Sequence, residues 1–296
     1  MKRRRFLRTS LTALPFAASS IPLPSWALEA SNPFRKNIGI QLYTLRNPIK
    51  KDVAGTLKAV ADAGYKQVEA YGFPGPGAAD MIREAKANGL AANSSHFAWE
   101  SVTDPEKEGV KPFDEILAGA KEAGLSHLVI PYLHGHNRKT LDDYKRVAER
   151  CNAAAVKSKA AGIQLAYHNH AFEFQPLEGQ KSGFDVFVEE FASEMQFELD
   201  VFWVKVGGLE PTDLIRKLKG RVSQLHLKDL QKGTSLPNFG QLPPEAFKEL
   251  GNGMIPMEPI VEAAGDAGVA HCHVEQDQSP DPIASVKESM AYLTGL

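Results

Sequence analysis

The same short phrase recurs down this chain: an amphipathic stretch closes on small residues and glycine, and a run of apolar residues follows at once. It occurs at Ala61-Asp62-Ala63-Gly64, Lys86-Ala87-Asn88-Gly89, Lys121-Glu122-Ala123-Gly124, Lys159-Ala160-Ala161-Gly162 and Gly265-Asp266-Ala267-Gly268. Glycine after a helix takes the left-handed conformation without Cβ strain, so each phrase predicts a helix end leading into a strand. The pattern places strands near Ile38–Tyr43, Gln67–Tyr71, Ala91–Ser95, His127–Pro131, Gln164–His168, Gln196–Asp200, Val222–Lys228 and Cys272–Glu275. Helices fall near Lys51–Ala63, Ala78–Ala87, Phe113–Ala123, Leu141–Ala160, Phe184–Phe191, Thr212–Leu218, Glu258–Ala267 and Asp281–Leu293. Eight strands alternating with eight helices in a chain of 296 residues predict an α/β fold, a single-domain (β/α)8 TIM barrel. The rival is an open doubly wound sheet, which favours a G-x-G-x-x-G turn after the first strand. Ile38–Arg46 contains none. One long irregular stretch, Leu230–Pro256, is rich in Gly and Pro and has the length of a functional lid.

The N-terminus reads differently. Arg3, Arg4, Arg5, Phe6, Leu7 and Arg8 form a basic block, a modestly apolar run extends from Leu11 to Pro24, and Ser25-Trp26-Ala27 offers a small-x-small cleavage site. This predicts an export signal over residues 1–27, with the barrel domain in 28–296 and the mature protein periplasmic or secreted. The order Arg3-Arg4-x-Phe6-Leu7 resembles the twin-arginine signals that export folded bacterial proteins. A basic surface tail is the alternative, but it explains neither the apolar run nor the cleavage site. Removing the segment takes away five positive charges and no acids, so the net charge of the remainder falls from −2 to −7. An acidic body argues against a nucleic-acid partner. No run of about twenty apolar residues follows the signal, so the mature chain is expected to lack a membrane span. Cys151 and Cys272 lie outside any metal-ligand spacing and read as two buried free thiols.

Chemistry concentrates in LAYHNH (Leu165–His170), FELD (Phe197–Asp200), QLHLKD (Gln224–Asp229) and HCHVEQD (His271–Asp277). In each, apolar residues lead to a polar tip, and parallel strands deliver such tips to one rim. Residues two apart share a strand face, which pairs His168 with His170, Glu198 with Asp200, and His226 with Lys228, and groups His273, Glu275 and Asp277. Taking one residue per strand, His168, Asp200, His226 and Glu275 give two imidazoles and two carboxylates. That mix suits one divalent cation, and the nitrogen ligands favour Mn²⁺, Zn²⁺ or Co²⁺ over Mg²⁺. Singly, each has a plainer role: a hydrogen-bonded structural histidine, a turn-capping Asp200, or a Glu275 paired with Lys228. Glu173, between aromatics, is a sugar ligand or an exposed residue. His96 and Trp99 stand where a third strand ends, and Trp203, three residues past Asp200, is either a wall for a sugar ring or core. His134 and His136 read as loop residues and His127 as structural.

Together these segments resemble the xylose isomerase-like barrel superfamily, particularly its sugar phosphate isomerase/epimerase branch. The resemblance runs from Ile38-Gly39-Ile40-Gln41-Leu42-Tyr43 to Val274-Glu275-Gln276-Asp277. Its most specific parts are Tyr167-His168-Asn169-His170, Leu199-Asp200-Val201-Phe202-Trp203, Leu225-His226-Leu227-Lys228-Asp229 and Glu275. It implies one divalent ion at the barrel mouth, held through Glu, Asp, His and Glu of the fifth to eighth strands. By position these places are His168, Asp200, His226 and Glu275. His168 departs from the pattern, since ketose epimerases of the family carry a glutamate there and use two glutamates on opposite faces of the substrate carbon. Trp203 also stands near where many relatives have a histidine.

The implied chemistry is proton removal from carbon next to a carbonyl, through an enediolate stabilised by the ion. Glu275 is the candidate base, His170 or Glu173 the acid, and Lys228 a stabiliser of developing negative charge. His96 and Trp203 are the candidate substrate contacts, and the partner is a small carbohydrate; an oligomer is compatible with the sequence. The leading expectation is a metal-dependent carbohydrate isomerase or epimerase. Elimination of the aglycone from a 3-keto-glycoside is a second reading, because it needs one base and no second carboxylate. A sugar-binding protein without turnover is a third. An abasic-site nuclease on the same fold would need more metal ligands and a basic groove.

Overall fold

A computed structural model describes Phe34 and residues 37–296, so the expected export segment 1–27 lies outside the described residues. Eight parallel strands close into a barrel: β1 (Gly39–Gln41), β2 (Gln67–Phe73), β3 (Ala91–Phe97), β4 (His127–Ile130), β5 (Gln164–His168), β6 (Met195–Asp200), β7 (Val222–Leu227) and β8 (His271–Val274). Each strand pairs with its sequence neighbours, and β8 closes on β1 through Gly39 opposite His273 and Ile40 opposite Val274. Gly39 has a steric reason: a Cβ there would stand 2.4 Å from the His273 ring and 2.7 Å from the Gln67 side chain.

Helices cover the outside, as the repeated phrase predicts. The five glycines that end the phrases all take positive φ, between 74° at Gly124 and 102° at Gly64. The longest helix, Leu141–Ala160, starts at a capping box in which Thr140 and Asp143 satisfy each other's backbone N–H. It buries Tyr144, Val147, Ala148, Cys151, Ala154, Ala155 and Ser158, one stripe at helical spacing against the sheet. The expected helix Lys51–Ala63 is present as Val53–Asp62, and a short helix that the pattern does not predict, Arg46–Lys51, precedes it. Asp52 is extended between them and caps the second by accepting from Gly55 N at 2.9 Å.

Strand alternation divides the buried residues by chemistry. Outward-facing Val68, Leu128, Leu165, Phe197, Leu199, Leu225 and Cys272 are buried under the helices, each large aliphatic or aromatic side chain contributing ~1.5–3 kcal/mol. The barrel interior is polar instead: Gln224 Nε2 reaches Glu69, Ser94 and Glu198 at 3.3, 3.1 and 2.8 Å across the lumen. Both cysteines are buried free thiols, as expected. Among the described residues no helix is long and apolar enough to cross a membrane.

The Gly- and Pro-rich stretch after β7, expected as a lid, contributes no described residue to the lining of the cavity at the barrel mouth. Asp229–Leu230 pairs antiparallel with Phe247–Lys248, and the Asp229 carboxylate gathers both ends of the excursion. Its Oδ1 accepts from Leu230 N and Ile255 N at 2.8 and 2.9 Å, and its Oδ2 from Gly251 N and Gly253 N at 3.0 and 2.8 Å. A Cβ on Gly253 would meet Asp229 Oδ1 at 2.2 Å, so that approach requires glycine.

Candidate active site

The ends of β5 to β8 meet at the barrel mouth. Asp200 closes β6 and faces two ways. Its Oδ1 accepts from Phe202 N at 2.9 Å and Trp203 N at 3.2 Å, capping the helix Val201–Val206. Its Oδ2 lies 3.7 Å from His168 Nε2, 4.0 Å from His226 Nδ1 and 3.0 Å from Lys228 Nζ. That six-residue helix escapes the sequence pattern because Val-Phe-Trp-Val is apolar on every side. Asn169, between the two histidines of the motif, accepts from Asp200 N at 3.0 Å and so ties the tip of β5 to that of β6.

From β8, Glu275 Oε2 approaches His226 Nδ1 at 2.7 Å and Lys228 Nζ at 2.8 Å. Ligand atoms of Asp200, His226 and Glu275 all lie within 4.8 Å of one another, with His168 beside Asp200 on the flank. The plainer reading of Glu275, a pair with Lys228, is thus present as well. Lys228 also donates to Asp277 Oδ2 at 3.0 Å, so one ammonium stands among three carboxylates.

Beneath this cluster lies a layer that the sequence reading does not assemble, built on Glu69 and on Glu198 from the Asp200 face, with His96. One oxygen, Glu198 Oε2, is 3.1 Å from His168 Nδ1, 3.2 Å from His226 Nε2 and 3.2 Å from His96 Nε2. Glu69 Oε1 is 2.7 Å from His226 Nε2 and 3.1 Å from His96 Nε2, and it accepts from Gln41 Nε2 at 2.6 Å. Ser94 donates to the other Glu69 oxygen. With its lower nitrogen protonated toward Glu198, neutral His168 points a lone pair at the mouth, whereas His226 also directs Nδ1–H at Glu275 Oε2, 2.7 Å away, and would present a lone pair there on exchanging that proton for a cation; the tautomers follow from the hydrogen-bond partners. The signal for Glu69 was a single charge inside the apolar run Val68-Glu69-Ala70, and for Glu198 its place two residues before Asp200.

Charge follows these contacts. Burial alone would raise the Glu275 pKa, but Lys228 and His226 hold it well below the usual carboxylate range. Burial would lower Lys228 and His226, yet Asp200, Asp277 and Glu275 keep the lysine charged and Glu198 with Glu275 raise the imidazole. Burial, then neighbouring His226, pushes His168 down to the neutral form. Asp277 is pushed up to about 7 by burial and by Glu275.

A cavity of about 550 Å³ opens above the cluster, lined among others by His96, His168, His170, Lys228, Glu275 and Asp277. His96 therefore faces the cavity, while its Nε2 is committed to Glu69 and Glu198. His170 faces it as a neutral imidazole, burial and Lys228 lowering it to about 3. Two expectations change. Glu173 is neither exposed nor a cavity residue: it is fully buried behind His170, accepting from Tyr167 Oη at 2.7 Å and His170 N at 2.8 Å. Trp203 does not line the cavity; its ring packs on His170 at 5.3 Å and Phe247 at 5.9 Å. Phe flanks Glu173 on both sides in sequence, and a buried carboxylate there needed the Tyr167 hydroxyl, which no local pattern reveals. His127, as expected, is buried and bonded locally, to Ser126 at 2.9 Å.

A divalent cation fits the donor set. Asp200 Oδ2, His226 Nδ1 and Glu275 Oε2 are buried without a well-directed hydrogen bond, although they converge. Two imidazole nitrogens and two carboxylate oxygens are borderline ligands of the kind such ions take. Lys228 Nζ shares the same two oxygens, and Asp277 gives that ammonium a partner to keep when a cation takes them.

Comparisons with known proteins agree with this fold. The inosose dehydratase of Clostridium perfringens is 24% identical over 247 residues, covering 76% of this chain and 82% of that protein. A sugar phosphate isomerase/epimerase from Parabacteroides distasonis superposes with a TM-score of 0.68 at 28% identity, covering 87% of this chain and 97% of its own. The 3-keto-D-glucoside 4-epimerase of E. coli shares the fold, with a TM-score of 0.65 at 13% identity over 88% of this chain and 99% of its own. The profile of the xylose isomerase-like TIM barrel matches residues 57–296, and the chain belongs to that family.

Proposed function

We propose that the protein is a metal-dependent carbohydrate isomerase or epimerase that removes a proton from carbon next to a carbonyl. That it is an enzyme of the isomerase, epimerase and dehydratase kind follows from its family and relatives. The observation that carries the finer reading is the convergence of buried Asp200 Oδ2, His226 Nδ1 and Glu275 Oε2, without well-directed hydrogen bonds, beside a cavity of sugar-binding size.

His168, Asp200, His226 and Glu275 would hold the ion, which would polarise the substrate carbonyl and make the adjacent C–H more acidic. Glu275 is kept ionised by Lys228 and His226 and is the base for that proton. Lys228 shares its ammonium among Asp200, Glu275 and Asp277 and supplies a positive charge where oxygen gains electron density. His170, neutral and facing the cavity, orients a hydroxyl, and Glu173 fixes it through its backbone N–H. Incubation of the Mn²⁺-loaded protein with ketoses in deuterated water tests the reading. Deuterium enters at the carbon next to the carbonyl, and Glu275→Gln abolishes it; no exchange with any sugar refutes the proposal.

A second reading, elimination, is favoured by one observation. Of the other carboxylates that line the cavity, Asp277 belongs to the same β8 tip as Glu275 and Glu100 stands on the outer wall, while His168 holds the place of the family's other glutamate. Elimination needs a single base. Loss of water or an aglycone without retained sugar isomer selects it. We also propose that residues 1–27 are an export signal and that the mature enzyme acts outside the cytoplasm. A periplasmic protein whose N-terminus is Leu28 is the expected product.

A further inference from the structure

The outer part of the cavity is more than the cation cluster needs. Its volume of about 550 Å³ falls within the ~300–1,000 Å³ of sites for drug-sized ligands, more room than a lone hexose fills. Two aromatic pairs line it beyond the polar tips. Tyr43 and Tyr71 meet edge to face at 5.5 Å, and Trp99 and Tyr132 at 6.5 Å, Tyr132 also reaching His170 at 5.3 Å. Tyr43 is 43% exposed, one of three large apolar side chains so exposed among the described residues. Trp99 Nε1 is buried without an acceptor.

The charges point the same way. Among the described residues Lys228 is the cavity's sole lysine or arginine, and three carboxylates already surround it. The neighbouring arginines are committed elsewhere. Arg46 stacks on Tyr43 at 4.4 Å and donates to the carbonyls of Tyr43 and Asp277 at 2.9 and 2.5 Å. Arg138 stacks on Phe172 at 3.5 Å and donates to Tyr132 Oη at 3.0 Å. The helix N-terminus nearest the cluster is filled by Asp200. Phosphate recognition requires free guanidinium, ammonium or helix N–H donors. Among the described residues that line the cavity none is free, Glu100 adds a further carboxylate to the wall, and a lysine beyond it, Lys107, stands 4.0 Å from that carboxylate.

We infer that the substrate is an uncharged glycoside, a sugar whose second ring or aryl group packs between Tyr43, Tyr71, Trp99 and Tyr132, rather than a sugar phosphate. This rests on the proposed carbohydrate reading of the same mouth. Aromatic walls take the apolar face of a ring while the polar tips hold the hydroxyls.

Titration calorimetry on the full protein, as purified and after chelation, tests it with glucose, phenyl β-D-glucopyranoside and glucose 6-phosphate. The phenyl glucoside binds about tenfold tighter than glucose, and the phosphate ester no tighter than glucose in the chelated protein. Tyr43→Ser, at an exposed position that the fold does not need, and Trp99→Ala each bring the preference toward one. Tightest binding of the phosphate ester, equal binding of all three, or no binding of the phenyl glucoside at millimolar concentration overturns the inference. Retained preference without deuterium exchange leaves this inference standing and sinks the proton-abstraction reading alone; exchange without preference does the reverse.

Discussion

Replacing Glu198 by Gln separates a ligand-orienting role from a ligand role. Glu198 lies outside the Asp200, His226 and Glu275 group at the mouth, and its Oε2 holds the lower nitrogens of His168 at 3.1 Å and His226 at 3.2 Å. An amide keeps the shape and one acceptor but removes the charge. Each charge-assisted bond reduced to a neutral one loses about 1 kcal/mol, and two such bonds lose about 2 kcal/mol, or about thirtyfold in cation affinity. That agrees with the ~10–100-fold typical of changes behind metal-ligating histidines. Glu69→Gln provides a graded comparison, because Glu69 reaches His226 at 2.7 Å but forms no contact with His168. It should lose about fivefold, one bond rather than two. Competition against a chromogenic chelator measures both, with circular dichroism confirming the fold. Equal losses, or an unchanged affinity in Glu198→Gln, would refute the orienting role.

Three further perturbations read the site from other directions. Asp200→Asn keeps an Oδ1 cap for the helix Val201–Val206 but loses the anionic Oδ2, whereas Asp200→Ala loses both. Both variants should lose bound ion by elemental analysis, and Ala alone should cost about 1 kcal/mol in urea. Lys228→Met leaves Asp200, Glu275 and Asp277 without their shared cation, so the chelated protein should lose about 3 kcal/mol and regain more than the native protein when Mn²⁺ is added. Equal melting shifts on adding the ion would contradict this. Glu173 is pushed up by burial from 4.5 to about 8, against its bond from Tyr167. A raised acid favours the folded state below its unfolded pKa, and this contribution fades as pH rises through the folded value. Native stability relative to Glu173→Gln should therefore fall by a few kcal/mol between pH 4.5 and 8, and parallel curves would show that Glu173 does not titrate in that window.

The barrel was legible in sequence because its punctuation is local. A glycine at positive φ and an apolar run after it are properties of five or six consecutive residues, and they recur at five turns of the eight-stranded fold. The tips at His168, Asp200, His226 and Glu275 were legible for a similar reason: each stands at the end of an apolar run. What stayed hidden depends on partners far along the chain. Glu69 and Glu198 meet over the lumen only because β2 and β6 lie in one barrel, and Gln224 bridges them. Glu173 next to Phe174 carries no sign that Tyr167 and a backbone N–H will bury it. Lys228 shows the limit most clearly. Its charge is visible in the sequence, but its position among three carboxylates is set by the register of β6, β7 and β8.

The Asp229 clamp has an engineering consequence. Four backbone amides from the start and finish of the excursion converge on one carboxylate adjacent to Lys228, so the strand tip is anchored independently of the chain between Lys232 and Pro243. Within that span Asn238 N–H still docks on Val206 O at 2.9 Å, so the place where foreign sequence can grow or shrink without reaching the catalytic rim is the exposed Lys232-Gly233 turn before it, a natural port for fusing a tether or a reporter.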